Sequence, residues 1–136
     1  METTNAGASY LEVQGLIKWF GTDRAVDDIS FSIPKGNFLT LLGPSGCGKT
    51  TTLMSIAGLH RIDGGRIRVN GTDMAALNPR RRARLVSVVP QSPQLPMSFS
   101  VLDLVLMGRN PHLKLLQWER HSDIEIASRA MELTET

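Results

Sequence analysis

The run Gly43-Pro44-Ser45-Gly46-Cys47-Gly48-Lys49-Thr50 is where this chain is equipped to do chemistry. It matches G-x-x-x-x-G-K-[ST] at every fixed position, the pattern of a loop that cradles phosphate. Its glycines let backbone N–H groups curl round phosphate oxygens with no Cβ in the way. A helix opening at Lys49 aims the positive end of its dipole at the anion. Lys49 supplies a point charge for β- and γ-phosphates. The Thr50 hydroxyl is a hard oxygen ligand for Mg²⁺, and Thr51 is placed to touch the α-phosphate region. Gly43, Ser45, Gly46, Cys47 and Gly48 complete the expected nucleotide contacts. The plainer reading is a glycine loop that merely turns a strand into a helix. Against it, a chance match in a chain of this length arises about once in a few hundred. Cys47 sits beside the expected helix start, where thiols are reactive. No base lies near it in sequence, so a nucleophilic role is not expected, whereas alkylation of Cys47 is expected to block nucleotide binding.

The loop needs elements to hold it. Phe38–Leu42 ahead of it is a short, nearly continuous apolar run, as in a strand buried on both faces of a parallel sheet. Lys49–Gly58 after it reads as a helix stopped by glycine. Upstream, Tyr10–Phe20 alternates loosely, Gly21-Thr22-Asp23-Arg24 reads as a turn, and Ala25–Ile33 alternates again. Pro34-Lys35-Gly36-Asn37 closes what reads as an antiparallel hairpin. Downstream, Arg66–Val69 reads as a short strand, Asn78-Pro79 as the N-cap and first position of a helix through Arg84, and Leu85–Val89 as a second buried strand stopped by Pro90. Val101–Met107 and Ile124–Leu133 read as helices. Buried strands mixed with helices predict an α/β fold with a small antiparallel piece in front.

Composition bounds the rest. The chain has 136 residues, room for one domain and not two. At 41% hydrophobic residues it can bury a core. A net charge of +2 does not suggest a nucleic-acid binder. Arg80-Arg81-Arg82 with Arg84 has no interleaved aromatics and reads as a solvated helix face. The single cysteine excludes an internal disulfide, and no apolar run reaches the length of a membrane span. Met1–Tyr10 has no Lys or Arg and no apolar core, so no signal peptide is expected. The sequence reads as that of a soluble, intracellular chain.

Beyond the phosphate loop, the flanks resemble the nucleotide-binding subunit of ABC transporters over almost all of Tyr10–Thr136. Phe20-Gly21 followed by Ala25-Val26-Asp27-Asp28-Ile29-Ser30 looks like that family's front hairpin. There an aromatic stacks on adenine; Phe20 is the matching position, with Trp19 the alternative. Gly43–Thr50 running into Thr51–Leu59 resembles its loop and first helix, and Gly64–Gly71 its next β-turn-β stretch. Val88-Val89-Pro90-Gln91 resembles its Q-loop, where a glutamine at the end of a buried strand reaches Mg²⁺ and the attacking water. A neutral amide that both donates and accepts suits that task. The resemblance thus implies ATP and Mg²⁺ as cofactors, Lys49 and Gln91 as catalytic residues, and Thr50 and Gln91 as metal ligands. It implies an α/β P-loop NTPase fold: a RecA-like parallel core, an antiparallel β subdomain and the start of a helical subdomain. The expected boundaries are a flexible 1–9, then a partial domain over 10–136 divided into 10–97 and 98–136. A GTPase would carry Asn-Lys-x-Asp, which is absent, and a small-molecule kinase would start almost at the loop strand.

Other family features are absent from these residues. There is no Leu-Ser-Gly-Gly-Gln signature, only an echo in Asp63-Gly64-Gly65, and no four apolar residues followed by Asp-Glu. No later switch histidine exists; His60, His112 and His121 read as surface or helix-end residues. The chain therefore reads as truncated before the signature and Walker B, the N-terminal half of a transporter ATPase. On its own it is expected to be inactive in hydrolysis, because the carboxylates that secure Mg²⁺ and polarise water are missing. A non-catalytic fragment with weak nucleotide binding is the alternative. An ATPase of the DNA- or ribosome-linked kind would carry a duplicated cassette, for which there is no room.

The resemblance also implies partners: membrane permease subunits of an importer and a second copy of the ATPase subunit, at the cytoplasmic face of the membrane. Gly108-Arg109-Asn110-Pro111-His112 with Ser92-Pro93-Gln94-Leu95-Pro96 resembles importers of ferric siderophores, haem and cobalamin, and Asp123 fits the same pattern. Cys47–Leu53 looks equally like importers of polyamine or ferric ion. The plainer reading of 108–112 is a helix stop with a proline turn. Trp118 reads either as an anchor to a partner or as a partly buried core residue.

Overall fold

A computed structural model describes residues 9–91, 99–113 and 118–135. The chain divides into a unit ending at Ser87 and a second beginning at Val88.

In the first unit, strand β1 (Ser9–Phe20) turns at Gly21-Thr22 into β2 (Asp23–Pro34), so the expected hairpin is present. Strand β3 (Gly64–Val69) pairs with the other edge of β1, and the short β4 (Thr72–Asp73) pairs with β3. The order β2-β1-β3-β4 is antiparallel throughout. Its register sets Val13 against Phe31 on one side and Ile67 on the other, and Leu16 against Ile29. Alternation puts Val13, Ile67 and Val69 on one face, and a register irregularity between Val13 and Leu16 returns Leu16 to the same core; all four are buried. Helix α1 (Lys49–Ile56) joins that core through Ile56, with Thr52 and Ser55 also buried. After β4 a 3₁₀ turn, Met74–Ala76, is capped by the Asp73 carboxylate, which accepts from the Ala75 N–H at 2.9 Å, and Met74 drops into the same core. Helix α2 (Pro79–Ala83) starts as expected: the Asn78 side chain accepts from the Arg81 N–H at 2.9 Å, with Pro79 at the first helical position.

Two expected strands are not there. Phe38–Leu42 and Leu85–Val89 carry no strand pairing among the described residues. Most of their residues are exposed, with Phe38 at 100%, Leu42 at 88% and Val89 at 94%, while Val86 packs half-buried against the core. Continuous apolar runs suit a strand covered on both faces. A strand nevertheless requires a neighbour to take its N–H and C=O groups, and no strand of the β2-β1-β3-β4 sheet offers one to these runs.

In the second unit, helix α3 (Val101–Met107) has the expected bounds and begins with a reciprocal cap between Ser100 and Asp103. Helix α4 (His121–Leu133) begins a little earlier than expected. Trp118 is 86% exposed, which overturns the reading of it as a core residue. No helix among the described residues is long and apolar enough to cross a membrane.

Candidate functional site

The phosphate loop is built by a close approach. Gly48 caps α1 with φ +86°, a left-handed conformation that glycine adopts without strain. A Cβ at Gly48 would lie 2.2 Å from the Ala25 carbonyl oxygen at the start of the hairpin's return strand. Sequence pattern alone explains that glycine by its space for phosphate; the structure adds the backbone of β2 pressed against it. The Thr52 N–H and Oγ1 both donate to the Gly48 carbonyl, at 2.8 and 2.9 Å, locking the first turn. The N–H groups of Lys49, Thr50 and Thr51 precede the first intrahelical acceptor and lie at the positive end of the helix.

Lys49 is folded over the loop. Its Nζ donates to the Gly43 and Pro44 carbonyls at 2.7 Å each and lies 3.3 Å from Cys47 Sγ. Gly43 is close to the same sulfur, since a Cβ there would meet Sγ at 2.6 Å. The structure therefore gathers Gly43, Cys47 and Lys49 at one point. Thr50 is exposed and Thr51 half-buried at the helix start, and Ser45 and Gly46 are exposed on the loop. Cys47 is a free, exposed thiol.

Phe20 ends β1 and is 46% exposed. It meets the His60 ring edge-on, with centroids 5.3 Å apart, and Lys18 Nζ lies 5.2 Å from its centroid. Trp19 is also exposed, with the Arg24 guanidinium 4.9 Å from its ring. Asp63 fastens this end of β1. Its carboxylate accepts from the Trp19 N–H at 2.7 Å and from Lys18 Nζ at 3.0 Å. The Trp19 N–H first, and Lys18 second, hold the Asp63 carboxyl below the usual carboxylate range. Sequence reasoning missed both His60 as Phe20's neighbour and Asp63 as its positioning residue. Neither pairing leaves a local signal, because strand β2, helix α1 and their connecting loops separate the partners along the chain.

Gln91 lies in the second unit, exposed, directly after Pro90. The residues before it form no strand among the described residues, so the expected placement at the end of a buried strand is corrected. The flanking residues 92–96 lie outside the described residues. In the same unit, Arg109 Nε donates to the buried Asp123 carboxylate at 3.0 Å. The Arg120 N–H, at 3.1 Å, contributes most to holding the Asp123 carboxyl low, followed by Arg109. The sequence analysis marked Arg109 and Asp123 separately; the structure joins them as a structural pair. Of the histidines, His112 and His121 are exposed, whereas His60 is half-buried.

Thr50 can offer one oxygen to Mg²⁺, and among the described residues no group of three or more His, Cys, Asp or Glu could hold a metal ion. That donor set fits a cation that arrives with phosphates and keeps most of its ligands from them and from water.

The family described as ABC transporter matches residues 26–136. A hemin import ATP-binding protein of Myxococcus xanthus is 33% identical over 126 residues, covering 93% of this chain and 46% of that protein. A spermidine/putrescine import ATP-binding protein of Pseudomonas aeruginosa is 50% identical over 72 residues, 53% of this chain and 20% of that one. Among solved structures, a nucleotide-free ATP-binding cassette from an ABC transporter superposes with a TM-score of 0.79 at 28% identity, covering 93% of this chain and 54% of that chain. The chain spans about half the length, or less, of the proteins it matches.

Proposed function

Since the chain belongs to the ABC transporter family, we propose that it is the phosphate-binding part of an importer's ATP-binding subunit, coupling ATP binding and hydrolysis to import of an iron chelate or related metal complex. The observation that carries the nucleotide part is the loop at the head of α1, where a cationic Nζ is held by two carbonyls at 2.7 Å. Those carbonyls are neutral acceptors, so an arriving phosphate anion competes well for the same ammonium. Lys49 then bridges β- and γ-phosphate oxygens, and the N–H groups of the helix head take the remaining ones. Thr50 supplies its hydroxyl to Mg²⁺, which when bound neutralises charge on the phosphates. Phe20 offers a stacking face to adenine, and Asp63 keeps that end of β1 in place. Gln91, a neutral amide that both donates and accepts, orients the attacking water.

The proposed partners are permease subunits and a second ATPase subunit at the cytoplasmic face of the membrane. Cargo is the finer question. The hemin import relative, similar over nearly the whole chain, supports a metal complex; the polyamine import relative is more identical, over a shorter stretch. Uptake of radiolabelled iron chelate and of spermidine, in cells carrying the native protein or its Lys49→Ala variant, tests the assignment. Loss of chelate uptake alone is expected. Loss of spermidine uptake alone favours the polyamine reading, and unchanged uptake of both contradicts the importer role.

A further inference from the structure

Strands β3 and β4 are joined by Asn70 and Gly71, with Val69 paired to Thr72 across them. Both turn residues have positive φ, +48° at Asn70 and +74° at Gly71, as a type I′ hairpin turn requires. Asparagine visits this conformation more readily than other side chains do. Both residues are exposed, and a Cβ at Gly71 would meet nothing within 4 Å.

Asparagine is also chemically labile, and a glycine after it leaves its side-chain carbonyl open to attack from the chain. The Gly71 backbone nitrogen gives its proton to base and bonds to Asn70 Cγ. The Cγ–NH₂ bond breaks, and the nitrogen leaves with a proton as ammonia. The product is a five-membered succinimide. Water opens that ring at either carbonyl, giving aspartate or isoaspartate. One water enters and one ammonia leaves, with no change of oxidation state.

The turn is suited to ring closure. The ring needs Asn70 Cβ and the Gly71 nitrogen eclipsed about Cα–C. A type II′ turn supplies this, with φ about +60° and ψ about −120° at its first central residue. Asn70 already has φ of that sign, and types I′ and II′ both close two-residue hairpins. Turning the single Asn70–Gly71 peptide plane therefore reaches the reactive geometry with the strands still paired. The Asn70 N–H stays anchored on β1, donating to the Tyr10 carbonyl at 2.6 Å, whereas the Gly71 N–H donates to no backbone group among the described residues. Elsewhere the reaction is blocked. Asn78 and Asn110 precede prolines, which have no N–H to lose, and Asn37 precedes the bulky Phe38. Asp63 precedes Gly64, but its carboxylate accepts from the Trp19 N–H and Lys18 Nζ. Both bonds favour the anion, a poor target for a nucleophile.

We propose that Asn70 is a modification site, at which the folded turn deamidates to isoaspartate and aspartate. The site is independent of the nucleotide and cargo readings. Isoaspartate carries the main chain through Cβ and Cγ, which inserts a methylene into a two-residue turn. The register Arg68↔Asp73 and Val69↔Thr72 depends on that turn's length. Strand β4 has only two residues, and Met74 directly after it is buried in the core. Conversion therefore loosens β4 and the anchorage of Met74.

The test incubates the full chain in mildly alkaline buffer, with and without denaturing guanidinium chloride. Asparagine peptides are then sequenced by mass spectrometry with electron-transfer fragmentation, which separates isoaspartate from aspartate. In the folded chain, conversion is expected at Asn70 while Asn37, Asn78 and Asn110 stay intact. Its rate should be no more than about tenfold below that of the unfolded chain, the cost of turning one peptide plane. Asn70→Gly, which suits a positive φ, should abolish the ammonia released by the folded chain. The purified isoaspartate form should unfold at lower denaturant than Asn70→Asp, which carries the same charge on an ordinary backbone. The proposal is overturned if Asn70 stays intact in the folded chain while the unfolded chain reacts, if it converts no faster than Asn37, or if Asn70→Gly releases as much ammonia. Equal denaturation of the isoaspartate form and Asn70→Asp would overturn the loosening of β4.

Discussion

The β2-β1-β3-β4 sheet and the apolar run Phe38–Leu42 are both strand-like in composition, yet only the sheet folds as strands. In β1, Val13 and Leu16 are 1% and 0% exposed; Val13 is paired on both flanks, with Phe31 and Ile67, and Leu16 with Ile29. In the run before the loop, Phe38 and Leu42 are 100% and 88% exposed and their backbone has no ladder among the described residues. The difference lies in where the neighbours come from. Strand β1 finds its first partner, β2, across a short turn, and the hairpin so formed offers the edge that the distant β3 joins. A parallel-type strand needs partners brought from far along the chain, and its apolar character alone does not make a sheet. The phosphate loop sits between these regimes, braced on one side by β2 through Ala25 and on the other led in by an unpaired run.

That contrast can be broken by substitution. Leu16→Ala opens a cavity in the fully packed sheet and is expected to destabilise the first unit by about 2–5 kcal/mol, read by urea denaturation. A loss under about 0.5 kcal/mol would mean the sheet is not the stable part. Gly48→Ala comes next. It forces a side chain into a left-handed conformation, at about 1–3 kcal/mol, and sets its Cβ against the Ala25 carbonyl. Both stability and nucleotide affinity should fall, and retention of both would remove β2 as the loop's brace.

A smaller effect is expected at Asp63, whose carboxyl is held low by the Trp19 N–H and Lys18. The unfolded chain takes up that proton first as pH drops. The stability it adds is complete above the ordinary carboxylate value, about 3.9, and is lost as pH falls through the lowered folded value. Trp19 fluorescence in a Trp118→Phe background should therefore show an acid transition that Asp63→Asn flattens; an identical transition in the variant would exclude Asp63 as the fastening group. The smallest effect is at Leu42. Leu42→Ser should change stability by no more than about 0.5 kcal/mol, because the side chain is already in water. A large loss would show that the run is packed after all.

What the sequence made legible follows the same division. The hairpin, the Asn78-Pro79 helix start and the glycine stop of α1 are local signals, and the structure has each of them. Lys49 and Gly48 were evident from spacing, though not the Lys49 contacts with the Gly43 and Pro44 carbonyls. The missed features are all long-range: Asp63 on Trp19, His60 on Phe20, Arg82 across Gly58 and Arg109 on Asp123. Periodicity reports which face a residue takes, and carries no information about which distant side chain meets it there. The Phe38–Leu42 and Leu85–Val89 expectations failed for the complementary reason. Their pattern describes a burial that only distant partners can provide.

The central claim is that the loop at the head of α1 binds nucleotide through Lys49. Equilibrium titration of the chain with Mg²⁺ and ATP, by calorimetry, measures it directly when repeated with Lys49→Ala and with Cys47 alkylated. Saturable binding is expected, weakened about tenfold or more by Lys49→Ala and abolished by alkylation beside the Lys49 ammonium. Equal affinity in all three samples would contradict the account, because the nucleotide would then be held somewhere other than this loop.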